Sequence, residues 1–229
     1  EPSSRPKNDT LPKDLLVEDD VKKLMKNTTN PRDKAFISIL WETGARIGEI
    51  IDLTVGDLND HKHGLQIVIS GKTGTRRLVL ISSVPHILAW LNAHPRRDEN
   101  ESPLWVNVGT TNNGKKTGYR ILLRRLKEAA EKADIDKPVN PHHFRHSRAT
   151  YLASRFSEAQ MCEWFGWVQG SRVPSTYLHM SGRDIDSDYA RLHGIEDEEK
   201  PEKSRLAPEV CPRCDTSVPP DAEFCYRCG

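Results

Sequence analysis

The amino-acid sequence predicts an α+β fold that is mostly helical and has one small antiparallel sheet. A small zinc ribbon is predicted to follow this domain at the C-terminal end of the sequence. Apolar residues recur at helical spacing, two β-branched runs flank one Gly-rich turn, and four of five cysteines fall in the last 19 residues. The 229 residues suffice for one substantial domain plus a small appendage. No apolar run approaches the roughly 18 residues of a membrane span, so we expect a cytoplasmic protein without membrane contact.

Shifts in composition predict four segments along the chain. Residues 1–13 are polar and Pro-rich, which favours a flexible N-terminal segment. Residues 14–195 contain the periodic helices and the strands and form the main domain. The charged stretch 196–208 is a linker, and 209–229 form the cysteine module.

Helical periodicity is the main signal in the long segment. Apolar side chains repeat at helical spacing in 16–25, 35–40 and 47–51, and Thr43-Gly44 separates the second helix from the third. Residues 118–133 predict a basic amphipathic helix. Further helices are predicted over 85–91, 144–154, 158–165 and the stretch with Ile185, Tyr189 and Leu192, which Gly194 ends.

The strand signal is confined to one place. Residues 65–69 (LQIVI) and 77–82 (RLVLIS) are rich in β-branched and aliphatic side chains, and the polar turn 71–75 (GKTGT) lies between them. This arrangement predicts a hairpin with a Gly-rich tip.

The net charge of +1 conceals an uneven distribution. Residues 61–155 carry 17 Lys and Arg against 7 Asp and Glu, whereas the rest of the chain carries 17 against 26. A basic block of this kind is either a solvated surface or a binding surface for a phosphate polymer, and charge alone does not decide between them.

Four short motifs contain residues suited to chemistry at a phosphate. They are TGARIGE at 43–49, GKT at 71–73, HHFRHS at 142–147, and GW at 166–167 followed by YLH at 177–179. Each alone has an ordinary explanation: a surface arginine, a capping histidine or a half-buried tyrosine. Their residues of interest are Arg46, Glu49, Lys72, His142, Arg145, Trp167, Tyr177 and His179.

In this order, the motifs resemble those of the tyrosine recombinase (phage integrase) family. Its members carry T-G-x-R-x-x-E, a hairpin lysine, H-x-x-R-H, and G-H/W followed by Y-x-H. The resemblance covers residues 11–193 and implies that family's catalytic fold, several helices with a small sheet. The zinc ribbon and the Gly-Trp spacing resemble archaeal members.

The resemblance implies a metal-independent reaction in which Tyr177 attacks a DNA phosphate and forms a covalent 3′-phosphotyrosine. Arg46 and Arg145 would neutralise the phosphate oxygens, because guanidinium stays charged and matches phosphate geometry. Lys72 would protonate the leaving 5′-oxygen, and His142 would handle protons. Trp167 would donate an indole N–H, with Glu49 and His179 in support.

The sequence departs from the family pattern in two places. The interval from Trp167 to Tyr177 is one residue longer than usual and contains Pro174. Members also carry an N-terminal helical domain that clamps the other face of DNA, for which this chain has no room.

The resemblance also implies partners and a place of action. The substrate would be double-stranded DNA, and the protein would be associated with the nucleoid. In the family, the segment after the tyrosine docks on a neighbouring subunit, so the helix with Ile185 and Leu192 predicts a tetramer on paired DNA sites. Without DNA, we expect that helix to pack on its own domain and the chain to be monomeric.

The cysteine module predicts structural zinc. Cys211 and Cys214 form one C-x-x-C pair and Cys225 and Cys228 the second, with ten residues between the pairs. Four thiolates complete a tetrahedral Zn²⁺ site, which would stabilise a module too small to have a core. Two disulfides or a redox pair are the alternatives.

Two further interpretations of function stay open from sequence alone. A type IB topoisomerase or a telomere resolvase would use similar Arg, Lys, His and Tyr chemistry. A DNA-binding regulator with a vestigial active site is a different class, but every expected catalytic position is filled here.

Overall fold

A computed structural model of the chain describes residues 14–110, 112–180, 189, 193–194 and 203–229. Within these residues eight α-helices, one short 3₁₀ helix at Val55–Asp57, one three-stranded antiparallel sheet and one two-stranded sheet are found, which confirms the predicted mostly helical α+β class. No helix in these ranges is both long and apolar enough to cross a membrane. The helices are α1 Glu18–Lys26, α2 Pro31–Thr43, α3 Ile47–Ile51, α4 Val84–Ala93, α5 Tyr119–Lys132, α6 Pro141–Ala153, α7 Glu158–Phe165 and α8 Val173–Met180. The strands are β1 Leu58–His61, β2 Gly64–Gly71, β3 Gly74–Leu80, β4 Glu209–Val210 and β5 Ser217–Val218.

Helix α2 is the central helix of the core and is buried on nearly every side. The Asn30 side chain accepts a hydrogen bond from the Asp33 amide, and Pro31 occupies the first turn, so the helix start is well defined. The helix ends at Gly44, whose φ of 55° is left-handed. A Cβ on Gly44 would lie 2.6 Å from a ring carbon of Phe165, so glycine is required there. This turn brings Arg46 to the start of α3.

The predicted hairpin is present, and a third strand extends its sheet. Strands β2 and β3 pair in antiparallel register from Leu65 opposite Leu80 to Gly71 opposite Gly74, which leaves Lys72 and Thr73 at the tip. The additional strand β1 pairs with β2. Its sequence, LNDH, is polar and lacks the alternation by which a half-buried strand is recognised.

Two later helices differ from expectation in ways that concern the motifs. Helix α6 begins at Pro141, capped by Asn140, so His142 lies inside the helix and not before it. Tyr177 lies in α8, which the sequence did not predict. Pro174 is the second residue of α8, where a missing N–H is tolerated, so it fits the first turn of the helix.

The chain before the cysteine module is anchored to α1. The Ser204 hydroxyl and the Arg205 amide both donate to the Glu18 carboxylate, at 2.7 Å each. Leu206 is buried in the main core. The described part of the predicted linker therefore contacts the main domain. Residues 1–13, Ile185, Leu192 and 195–202 lie outside the described residues, and the proposed segment boundaries stay predictions.

Candidate active site

Helix α3 holds the first arginine of the site at its N-terminus. The Arg46 amide donates to Glu49 Oε2 at 2.9 Å, and Arg46 Nη1 lies 3.2 Å from Glu49 Oε1. The Arg46 side chain is 40% exposed, whereas that of Glu49 is 4% exposed. Glu49 thus orients an arginine whose guanidinium remains accessible to an anionic ligand.

The second arginine, Arg145 on α6, is buried and fixed by two carbonyls. Its Nη1 donates to Gly44 O at 3.0 Å and its Nη2 to Phe165 O at 2.8 Å. Burial, and then the positive charge of Arg46, lower the pKa of Arg145 to about 10. The guanidinium is therefore still protonated at neutral pH. The two arginines lie close enough to repel, so an anion between them would relieve that repulsion.

Tyr177 is held in a stack of aromatic rings. Its ring lies 5.2 Å from that of Trp167 at an angle of 7°, and Trp167 lies 4.7 Å from Phe165 at 19°. The guanidinium of Arg145 covers the Phe165 and Trp167 rings. Tyr177 is buried, and burial raises the pKa of its hydroxyl, which the charge of Arg145 partly offsets.

The Tyr177 hydroxyl contacts a histidine that sequence reasoning did not assign. Its Oη lies 2.7 Å from Nδ1 of His146, and Nε2 of His146 lies 2.7 Å from Nε2 of His142. Helical spacing contained the signal, because His142 and His146 are four residues apart and share one face of α6. We expected a role for His142 alone.

The β2–β3 hairpin approaches the site from the other side. Thr73 Oγ1 donates to Gly166 O at 2.7 Å, and Arg76 Nε donates to Trp164 O at 2.9 Å. These bonds fasten the hairpin to the end of α7, next to Trp167. Lys72 is exposed at the tip and makes no hydrogen bond or ion pair with any described residue, so its ammonium group is available to a ligand.

Arg76 is the second site residue that the sequence analysis missed. Its Nη1 and Nη2 lie 3.2 and 2.8 Å from the two oxygens of Glu49, and both side chains are nearly inaccessible. Burial raises the pKa of Glu49, but hydrogen bonds and charge from Arg76, with help from Arg46, outweigh burial and lower it. The pair links β3 to α3. Alternation along β3 was the available signal, since Arg76 falls on the same buried face as Leu78 and Leu80.

The structure thus brings Arg46, Arg145, His142, Trp167 and Tyr177 into one region, with Lys72 above it on the hairpin. Glu49 supports Arg46 as the motif suggested, through the contacts described above. The backbone of His179 belongs to α8, but its side chain lies outside the described residues. The catalytic roles of all these residues remain predictions.

The four C-terminal cysteines converge on one point. Their sulfur atoms all lie within 4.8 Å of one another, with Cys211 Sγ 3.7 Å from Cys228 Sγ and Cys214 Sγ 3.6 Å from Cys225 Sγ. The Arg227 amide points to Cys225 Sγ at 3.4 Å. All the cysteines lie in the described part of the chain and none forms a disulfide. The cluster is able to hold one metal ion.

Comparison with known proteins identifies the family. The phage integrase family matches residues 14–183, and the chain therefore belongs to that family. Tyrosine recombinase XerA of Pyrococcus furiosus is 33% identical over 160 residues, which are 68% of this chain and 54% of that protein. Tyrosine recombinase XerC of Pelotomaculum thermopropionicum is 31% identical over 190 residues, 78% of this chain and 61% of that protein. This chain thus spans little more than half of these relatives.

Solved structures share the fold. A crystal structure of XerA recombinase has a TM-score of 0.60 at 21% identity, covering 84% of this chain and 66% of that one. The structure of XerH recombinase bound to its difH substrate has a TM-score of 0.59 at 20% identity, and the match covers 80% of this chain and 55% of that one. The structure of a lambda integrase tetramer bound to a Holliday junction has a TM-score of 0.55 at 14% identity, and the match covers 75% of this chain and 50% of that one. The expected resemblance is confirmed.

Proposed function

We propose that this chain is the catalytic domain of a site-specific DNA recombinase or integrase that cleaves and rejoins DNA through a 3′-phosphotyrosine. The observation that carries the proposal is the position of the Tyr177 hydroxyl, hydrogen-bonded to a histidine and close to the buried guanidinium of Arg145. A tyrosine next to a fixed cation and a base has what a phosphoryl-transfer nucleophile needs.

The remaining residues fit the other requirements of the reaction. Arg46 and Arg145 would bind the non-bridging oxygens, on which negative charge develops during attack, and such fixed charges commonly contribute about 3–4 kcal/mol each. Lys72 would give a proton to the departing 5′-oxygen. Trp167 would serve as the platform on which the Tyr177 ring rests. The bond energy is kept in the phosphotyrosine, so rejoining requires no ATP and no catalytic metal.

Double-stranded DNA is the proposed substrate, acted on at the nucleoid in the cytoplasm. The XerH recombinase and lambda integrase structures compared above were both solved on DNA, and the latter is a tetramer. By analogy, the chain would be a monomer when free and a tetramer on paired sites. The helix with Ile185 and Leu192, which would mediate this assembly, lies outside the described residues.

The function is tested by trapping the covalent intermediate. The target sequence is unknown, so the probe is a library of randomised DNA duplexes, each nicked to let the cleaved end diffuse away. Incubation in EDTA followed by denaturation should leave protein covalently attached to a selected subset of sequences. Absence of any adduct would overturn the proposal, as would dependence on added magnesium. Adducts spread without sequence preference, together with relaxation of supercoiled plasmid, would indicate a topoisomerase.

We propose further that the metal in the cysteine module is structural Zn²⁺. A tetrahedron of thiolates about 2.3 Å from zinc has sulfur–sulfur edges of about 3.8 Å. The observed separations of 3.7 and 3.6 Å support that geometry. Four thiolates fill the coordination sphere, so the ion would stabilise the module and would not take part in the reaction.

Metal analysis tests the zinc proposal. The purified protein is expected to contain one zinc per chain, and Cys214→Ser should lose it, because three thiolates bind zinc far more weakly than four. Cys162→Ala is the matched control, since Cys162 packs in the core away from the cluster and should retain full zinc. Zinc below about a tenth of an equivalent in the wild-type protein, or full zinc in Cys214→Ser, would contradict the proposal.

A further inference from the structure

His146 is a titratable group in direct contact with the proposed nucleophile, and the proposed mechanism has not yet assigned it a proton-transfer step. Among the described residues it provides the only hydrogen-bond partner for Oη of Tyr177, at 2.7 Å from its Nδ1. Its other ring nitrogen, Nε2, is 2.7 Å from Nε2 of His142. Three groups therefore form a continuous chain from the tyrosine to a histidine that is exposed to solvent.

The hydrogens in this chain can be arranged so that the tyrosine donates. Nδ1 of His146 accepts from the Tyr177 hydroxyl when its Nε2 carries the proton, and this N–H then donates to Nε2 of His142. His142 in turn carries its own proton on Nδ1. Each contact then has one donor and one acceptor, and the chain is directed from Oη toward solvent.

The surroundings keep Tyr177 protonated and His146 neutral, which are the two states from which this proton transfer would start. Burial raises the pKa of Tyr177, so its hydroxyl stays protonated at neutral pH. Burial, followed by the nearby groups His142, His143 and Arg145 on the same helix, lowers the pKa of His146 to about 4. From α8 the facing titratable group is Tyr177 itself. His146 is therefore neutral and has a free electron pair for the proton.

The other charged or titratable groups of the site are not suited to accept the Tyr177 proton. Both terminal nitrogens of Arg145 donate to backbone carbonyls, and a guanidinium has no electron pair to accept a proton. Lys72 stands on the hairpin and makes no contact with Tyr177. His142, the histidine expected from the motif, reaches the tyrosine only through His146.

We propose that His146 is the catalytic base of the cleavage step and that it relays the Tyr177 proton to His142; this inference rests on the proposed function. As Oη attacks phosphorus, its proton moves to Nδ1 of His146, and the proton on Nε2 moves to Nε2 of His142. The bond from phosphorus to the 5′-oxygen breaks, and that oxygen takes a proton from Lys72. His142 is left as an imidazolium and releases one proton to solvent. Rejoining reverses each transfer.

The test is single-turnover cleavage of DNA with a sulfur in place of the bridging 5′-oxygen. A thiolate leaves without protonation, so defects in the general acid are suppressed and defects in the base remain. His146→Ala should lower the rate roughly 100-fold, and added imidazole should restore it in a saturable manner, because the free base fills the vacated space. His63→Ala, on the exposed β1–β2 turn, is the matched histidine control and should cleave at the wild-type rate.

A second variant separates proton transfer from folding. His146→Asn keeps a hydrogen-bond acceptor near the position of Nδ1 but cannot relay a proton. This variant should have the melting temperature of the wild-type protein and should cleave slowly. Its cleavage rate should continue to rise with pH above the pH at which the wild-type rate becomes constant. A His146→Asn rate within about threefold of wild type would overturn the relay, and so would a slow His146→Ala that imidazole fails to rescue. No cleavage by the wild-type protein would instead refute the proposed function.

Discussion

Replacing Tyr177 with Phe is expected to abolish the covalent protein–DNA adduct, a loss on the order of 10⁴-fold or more. Phenylalanine keeps the ring that stacks on Trp167 but lacks the hydroxyl oxygen that is proposed to attack phosphorus. The fold should be nearly unaffected, because the lost hydrogen bond to His146 is worth about 1 kcal/mol and water has access to that half-buried histidine. Adduct formation on a denaturing gel and DNA binding by mobility shift are the measurements.

The matched control is Tyr119→Phe, because Tyr119 is an exposed tyrosine at the start of α5. That variant should form adducts at the wild-type rate. Adducts of Tyr177→Phe at an undiminished level would remove Tyr177 from the nucleophile role, and mass spectrometry of the digested adduct would then identify the residue that carries the phosphate.

Replacing Arg76 with Met is expected to lower the free energy of unfolding by about 3–5 kcal/mol, the usual cost of leaving a buried charge without its partner. Glu49 would keep only Arg46, whose side chain is 40% exposed and whose charge is therefore partly screened by water. Urea unfolding at neutral pH measures the loss. Arg77→Met is the matched control on the opposite, exposed face of the same strand and should change stability by no more than about 0.5 kcal/mol.

Two further measurements test the physical cause. The double variant Arg76→Met, Glu49→Met removes both charges and should recover most of the lost stability. In the wild-type protein the pKa of Glu49 is lowered by folding, so its stabilising contribution is complete above the ordinary glutamate pKa and is lost as pH falls through the folded pKa. That acid sensitivity should be absent in Arg76→Met. Equal losses in Arg76→Met and Arg77→Met would show that the buried pair is not the cause.

Most of the helices were predictable because they carry their own local signals, whereas α8, which holds Tyr177, was missed. Helix α2 has a capping residue, a proline in its first turn and a glycine at its end, and all three appear in the sequence within fifteen residues. The hairpin was equally local. Strand β1 was missed because its stability comes from pairing with β2, and its polar side chains give no indication of it.

The candidate site also has one part that the sequence predicted and another part that it did not. Motif spacing predicted site positions for Arg46, Lys72, Arg145 and Tyr177, since the resemblance transferred them directly, and their catalytic roles stay predictions. It did not reveal which side chains touch: the contact of His146 with Tyr177 spans 31 positions, and that of Arg76 with Glu49 spans 27. Contacts over such separations depend on how helices and sheet pack, which no local pattern specifies.

Arg145 has a structural task as well as its proposed chemical one, and this has an evolutionary consequence. It holds the carbonyls of Gly44 and Phe165, at the C-terminal ends of α2 and α7, where helix dipoles place partial negative charge. If the proposed activity were lost in a descendant, Lys72 could be replaced, and Tyr177 exchanged for Phe, at little cost to folding, but losing Arg145 would leave two helix ends without their cation. Copies that lack the proposed activity should therefore lose the tyrosine hydroxyl and the hairpin lysine first and retain the buried arginine longest.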